Sequence, residues 1–422
     1  MTEVAIIGAG VAGTALALAL DRHGIPCRIY EARAEGFDVL ASGVSITPNG
    51  CRVLDALGVL PRIASRSYKV SAMTYKNARD ETTDVSIVGS EARYGYATHR
   101  MYRKALFDEL KAVLAERGVC TEYGARFERV VRESADEGVV FEVSGGRAVR
   151  AALLVGADGI WSSVRQYVAP GVLPEYVGTV CAYGHVPTAS VRWPSEAYER
   201  YGTIQGRPGS LFFSPEVADG SDLMIGKQFV YPARDRAGWE ALEADKEQLA
   251  AFYREGYEDW GPTAQSLIDQ VCAHKDGILL WPYHRIPKME RWSSTMGRVM
   301  IVGDAAHAMP PSSGQGVNQA LEDAYSLALL LSKTLPNMAP VSDRLNPALN
   351  LWRAWRQDRI DAVFAMTNAT NLKRLPEEER QKQLANGKAN DKVDPLKDEE
   401  WRKWMFQPDI EGEVDRWVQP RC

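Results

Sequence analysis

The first thirty residues set short apolar runs against small residues in an order that one local arrangement suits. Residues 4–7 are an apolar, β-branched run of the kind that makes a buried parallel strand. Glycines follow at 8, 10 and 13. Residues 14–22 are then rich in Ala and Leu, and Gly24 and Pro26 end the stretch. Residues 27–30 make a second strand ending in Glu31, so the pattern predicts a βαβ unit. Residues 42–60 read as a loop entering a helix. Residues 102–117 read as an amphipathic helix with Leu106, Leu110, Val113 and Leu114 on one face. Residues 127–131, 139–143 and 149–155 read as strands of a small sheet.

The texture changes between residues 176 and 278, where aromatics, prolines and glycines dominate and helical periodicity fades. Strands are predicted at 178–186, 210–215 and 222–230, with one helix over 239–254. Residues 299–302 return to a buried strand, 317–333 to an apolar helix and 346–368 to a further long helix. The tail from 375 onward is charged through Glu400 and then carries Trp401, Trp404, Phe406 and Trp417. That combination predicts solvated helices that dock through their aromatics. The expected divisions are 1–175 for the first part of a nucleotide-binding domain, with 66–95 lending strands to the substrate domain. An inserted substrate-binding sheet domain then spans 176–278, the second nucleotide-binding part 279–370, and a helical tail 371–422.

Composition narrows the function classes. Apolar content of 45 % and charge of 25 % suit a globular protein, and a net charge of −5 without a basic block argues against nucleic acid as a partner. Six cysteines without paired spacing read as thiols of a reducing compartment, so a cytoplasmic protein is expected. No run reaches the length of a membrane span.

Four scattered segments carry the chemistry. Gly8, Gly10 and Gly13 stand where strand meets helix: one for the tight turn, one for close approach of a pyrophosphate, one for helix–strand packing. The helix start offers free N–H groups to the phosphates. Glu31 lies at the right reach for the adenosine ribose and would repel a 2′-phosphate. Asp304, delivered by an apolar strand, can hydrogen-bond a polyhydroxylated ribityl chain, which NAD lacks. The stretch from Pro310 to Asn318 then opens a helix whose N–H groups can stabilise the negative edge of a reduced flavin. Arg103, heading its helix, is a pyrophosphate contact. These features favour FAD, giving the fold class as α/β: a Rossmann-like FAD-binding domain with an inserted mixed-sheet substrate domain and a C-terminal helical segment.

The ensemble resembles the class A (single-component) FAD-dependent aromatic hydroxylases, the para-hydroxybenzoate hydroxylase-like family, over roughly residues 3–365. The glycine fingerprint with Glu31, Arg103 with Leu106, Asp158-Gly159 followed by Ser162 and Arg165, Trp292 with Gly297, and Gly303 through Asn318 carry the likeness. The resemblance implies NAD(P)H and O2 as co-substrates and a flavin C4a-hydroperoxide that hydroxylates or epoxidises an aromatic or heteroaromatic small molecule. It implies that Asp158 and Gly159 serve both FAD and NAD(P)H, that Pro311 lies beside the flavin C4a, and that His307 is a buried histidine tying its loop together. The expected cofactor set is Gly8, Gly10, Val11, Ala12, Gly13, Glu31, Ala32, Arg33, Gly43, Arg103, Asp158, Asp304, Gly314, Gly316, Val317 and Asn318. No metal is called for. On the substrate side Tyr183, Arg192 and Tyr201 are the candidates to act with Pro311, and His185, Arg207 and Tyr231 share their strands' neighbourhood. A monomer or homodimer is expected.

Three other readings start from the same residues. A halogenase should carry Trp-x-Trp-x-Ile-Pro, and the segment from Trp281 to Pro287 has the wrong spacing. A reductase on this scaffold and a non-catalytic flavin-binding protein are the others. The intact Pro311, Gly314, Gly316 and Asn318 argue against the last.

Overall fold

The computed structural model describes residues 3–37, 42–335, 342–385 and 398–418. Cys422 and the charged run 386–397 of the expected tail lie outside these. A five-stranded, wholly parallel sheet has the order Val299–Ile301, Leu153–Gly156, Val4–Ile7, Cys27–Glu31, Cys120–Tyr123. Val4–Ile7 is central and covered on both faces, which is why it is apolar without alternation. The helix Val11–Arg22 packs against the helix Gly316–Thr334, so the Ala- and Leu-rich residues 15–20 are all buried.

A second, mixed sheet has seven strands in the order Leu279–Arg285, Glu175–Pro187, Asp222–Val230, Gly209–Pro215, Gly202–Gly206, Ala72–Asn77, Thr82–Ile87. Strand alternation divides its faces. Val180, Ala182 and Val186 point into an apolar core shared with Leu249, Tyr253, Leu267 and Ile268 of the covering helices. Cys181 and Tyr183, with Met224 and Tyr283, point the other way and form a separate cluster. Strands Ala72–Asn77 and Thr82–Ile87 come from the stretch expected to lend strands, whereas Tyr68–Val70 pairs with Thr98–Tyr102 in a small third sheet. The whole is an α/β Rossmann-like domain carrying a mixed sheet and C-terminal helices.

Four local expectations are corrected. The boundary at 278 cuts this sheet from its own edge strand, Leu279–Arg285. The run 149–155 is two strands, Arg147–Ala151 in a three-stranded antiparallel sheet and Leu153–Gly156 in the parallel one, because the chain changes sheets at Ala152. The helix over 239–254 is two, Arg236–Ala244 and Lys246–Arg254. Asp245 leaves helical geometry between them and accepts a bond from the Gln248 N–H at 2.9 Å. Within the expected loop, Gly43–Ile46 is a strand pairing with Thr98–Tyr102. The helix Pro262–Ala273 was not anticipated. Among the described residues no helix is long and apolar enough to cross a membrane.

Candidate active site

A cavity of about 500 Å³ lies between the parallel sheet's carboxyl ends and the exposed face of the seven-stranded sheet. Gly10, Val11, Ala12, Arg33, Gly43 and Arg103 form part of its wall, as do Asp304, Pro311, Gly314, Gly316 and Val317. Two long helices, Val11–Arg22 and Gly316–Thr334, begin on this wall with no side chain capping their first N–H groups. Uncapped starts facing a cavity are anion sites. A Cβ built on Gly10 would meet nothing within 4 Å, so the space in front of it is open. Gly8 and Gly13 are different: a Cβ on Gly8 would come 2.5 Å from the Ala157 carbonyl oxygen, and one on Gly13 2.0 Å from that of Gly8. Gly8 and Gly13 thus pack turn, helix and neighbouring strand together, behind the wall. Asp304 faces the cavity with an exposed carboxylate that has no hydrogen-bond partner among the described residues. An open pyrophosphate space, two helix starts and a free carboxylate fit FAD.

Several expected cofactor residues stand outside the cavity lining. Glu31 is 4 % exposed and accepts from the Ala9 N–H at 2.8 Å and the Arg33 N–H at 2.9 Å, stapling the glycine turn to the second strand. Ala32 is exposed outside the cavity lining. Asp158 accepts from Ser162 Oγ and from the Ser163 N–H at 2.8 Å, so it caps the helix Ser163–Val168 and leaves Gly159 on the wall. Burial raises the Asp158 carboxyl above its ordinary value. Asn318 is wholly buried: its Oδ1 accepts from the Thr47 N–H, and its Nδ2 donates to Ser45 and Gly314 carbonyls. Its side chain holds the glycine loop against the strand Gly43–Ile46.

The loop is braced by a buried charge cluster. His307 Nε2 lies 2.6 Å from Asp323 Oδ2, which also accepts the Gly303 N–H at 2.8 Å. Arg356 Nε donates to Asp323 Oδ1 at 2.6 Å and its Nη1 to Glu322, while Arg359 grips Glu322 at 2.6 and 2.7 Å. Burial pushes the Asp323 carboxyl up, but His307 and Arg356 together outweigh it and hold it at about 2. Arg359 also donates to the carbonyls of Trp404 and Met405 at 2.9 and 2.8 Å, the end of the tail helix Glu399–Phe406. Trp401, Met405 and Phe406 of that helix line the cavity, and Trp417 packs on Trp355 with ring centroids 5.6 Å apart.

On the substrate side Tyr183 and Tyr201 reach the cavity, beside Trp281, Tyr283, Phe212 and Met224. Arg192 does not. Its backbone is held by Ser266 of a covering helix and its side chain is 74 % exposed near Asp269, on the sheet's opposite side. Arg207 pairs with Asp259 in solvent, Tyr231 packs on Trp239 and Phe252, and His185 lies against Tyr102 off the cavity lining.

Residue spacing did not point to the buried pair Arg100–Glu216. Arg100 lines the cavity and donates to Glu216 Oε1, while Glu216 Oε2 is buried without a partner. A Cβ on Gly43 would strike both groups, so glycine there is what lets the pair sit at the wall. Burial pushes the Glu216 carboxyl up to about 7 against the pull of Arg100. The folded state therefore holds this proton more tightly than the unfolded chain. The associated stability is present below the ordinary glutamate range and is lost as pH rises to about 7. Relative to Glu216→Gln, wild-type thermal stability should fall by roughly 3 kcal/mol or less between about pH 4.3 and 7 and then level off. A difference that is constant or rising over that window refutes the assignment.

The chain matches the FAD binding domain family over residues 1–197 and 284–345. It is 31 % identical over 371 residues to the salicylate hydroxylase of Pseudomonas putida, covering 81 % of this chain and 80 % of that one. It is 26 % identical to the 6-hydroxynicotinate 3-monooxygenase of Bordetella bronchiseptica, covering 87 % and 92 %. A solved salicylate hydroxylase substrate complex superposes with a TM-score of 0.77 at 22 % identity, covering 100 % and 98 %. The protein belongs to the family of FAD-dependent aromatic monooxygenases. It is a flavoprotein oxidoreductase with FAD as its cofactor.

Proposed function

We propose that the protein takes reducing equivalents from NAD(P)H and one atom from O2 to hydroxylate an aromatic or heteroaromatic small molecule, as a cytoplasmic monomer or homodimer. The observation that carries this reading is that the Asp304 and Pro311–Val317 wall and the aromatic face of the seven-stranded sheet share one cavity. Salicylate and 6-hydroxynicotinate, the named substrates of two relatives, support a hydroxylated ring as the acceptor.

Bound FAD supplies the electron transfer and oxygen activation. Gly10 and Arg103 would hold its pyrophosphate and Asp304 its ribityl hydroxyls. Val11, Ala12, Arg33 and Gly43 would line the cofactor's path beside them, and Pro311, Gly314, Gly316 and Val317 would form the wall at its flavin ring. Burial, the largest influence on Tyr183, pushes its hydroxyl pKa up, so it stays a phenol and acts as a hydrogen-bond donor that orients the ring. Tyr201, 3.2 Å from Ser45 Oγ, holds a second polar handle. Phe212, Met224 and Trp281 exclude water from the reacting ring.

The test is NAD(P)H oxidation by the flavin-loaded protein over a panel of phenols, hydroxybenzoates, indoles and purine-like heterocycles. At least one compound should accelerate it severalfold and carry labelled oxygen from 18O2 in its product. Oxidation that ignores every aromatic, or product free of label, defeats the reading.

A further inference from the structure

Four arginines line the cavity: Arg33, Arg100, Arg103 and Arg374. Arg33 lies 3.4 Å from Glu31, Arg100 is paired with Glu216, and Arg103 stands at the pyrophosphate end. Arg374 alone has neither a carboxylate among the described residues nor a cofactor anion assigned to it. It is 8 % exposed, and its Nε is buried without an acceptor. A guanidinium cannot shed its proton to escape that setting, so a desolvated one without a counter-ion is a strong anion receptor.

The surroundings hold the group in place for such a role. Met366, Thr370 and Arg374 are spaced by four on the helix Ser342–Arg374, and all three line the cavity, so one helix face points into it. The guanidinium lies 4.7 Å from the Phe212 ring centroid. That ring in turn occupies the gap left by Gly226, where a Cβ would come 2.1 Å from Phe212 Cζ. Asn371, three residues earlier, accepts a hydrogen bond from Ser312, next to Pro311. Arg374 is therefore tied within one helical turn of the flavin-edge loop.

An arginine in the last turn of a helix commonly answers the helix's own carbonyls, but here those are already served. Gln205 Nε2 donates to the Lys373 carbonyl at 3.2 Å and Ser210 Oγ at 3.4 Å, and Gln228 Nε2 donates to that of Asn371 at 3.5 Å. Neutral side chains of the sheet terminate the helix, and the guanidinium is left over.

We propose that Arg374 is the specificity residue that pairs with an anionic group, a carboxylate, on the substrate ring. This rests on the reading of the cavity as an aromatic monooxygenase site. It adds that the substrate is an aromatic acid rather than a neutral phenol or heterocycle.

The experiment uses the flavin-loaded enzyme and matched pairs: 2-, 3- and 4-hydroxybenzoate against their carboxamides, and 6-hydroxynicotinate against 6-hydroxynicotinamide. Dissociation constants come from calorimetry and from perturbation of the flavin spectrum. In wild type at least one acid should bind roughly ten- to hundredfold tighter than its amide. Arg374→Met should erase that preference while leaving flavin content and amide affinity unchanged, and Arg374→Lys should restore part of it. Merely structural loss would weaken acid and amide alike, and that result overturns the proposal. So does an amide binding as tightly as its acid in wild type, a preference that survives in Arg374→Met, or no acid binding at all. If neutral aromatics are hydroxylated without acid preference, the monooxygenase reading stands and this one falls. If acids bind through Arg374 but no aromatic stimulates NAD(P)H oxidation, the reverse holds.

Discussion

Gly10→Val should purify as a folded but colourless protein. Gly10 has φ −74° and ψ −175°, an extended conformation open to valine, and a Cβ there touches no protein atom within 4 Å. The apoprotein therefore has no reason to object. The bulk would stand in the space through which the cofactor's pyrophosphate must approach the helix start. Overlap of that kind costs about 3 kcal/mol or more, at least roughly a hundredfold in affinity. The same substitution at Gly8 or Gly13 would drive a side chain into backbone oxygens and report only misfolding. Visible flavin absorbance per protein, beside far-ultraviolet circular dichroism, separates the two outcomes. A valine variant that comes off the column yellow would refute the placement of the pyrophosphate.

The second large effect falls on stability. Arg356 is wholly buried and binds Asp323, Glu322 and the carbonyl and side chain of Gln319. Arg356→Met keeps much of the volume and deletes the charge, leaving two buried carboxylates with one guanidinium fewer, Arg359 on Glu322 and His307 on Asp323. Breaking one side of such a cluster costs about 3–5 kcal/mol. The thermal midpoint should fall by several degrees, and flavin should dissociate more readily, since Asp323 also holds the Gly303 N–H before Asp304. A midpoint within about a degree of wild type would mean that the cluster carries no net stabilisation.

Which features the residue pattern disclosed follows from how local their physics is. The glycine turn, Asp304 and the loop after Pro311 each compress their chemistry into a few consecutive residues, so strand, turn and helix start can be read together. The backbone N–H groups that Glu31 and Asn318 hold are not legible in the sequence, because those partners are set by how the turns pack. The pair Arg100 and Glu216 stands 116 residues apart in the chain. Nothing in either neighbourhood signals the other. Arg374 looks like any cation closing a helix until the sheet's glutamines are seen to do that work. Arg192 failed because an arginine just past a strand end gives no clue to which face of the sheet it joins. The break at Asp245 was legible after all: an aspartate three residues before a glutamine marks a helix start.

The two faces of the strand Glu175–Pro187 have a consequence for how this enzyme can diverge. Cys181 and Tyr183 look into the reaction chamber while Val180, Ala182 and Val186 face the packed interior, so selection can act on the two sets almost independently. A library varying Cys181, Tyr183, Met224 and Tyr283 would explore new ring shapes without eroding thermal tolerance. One varying Val180, Ala182 and Ile225 would do the opposite, yielding brittle proteins with unchanged tastes.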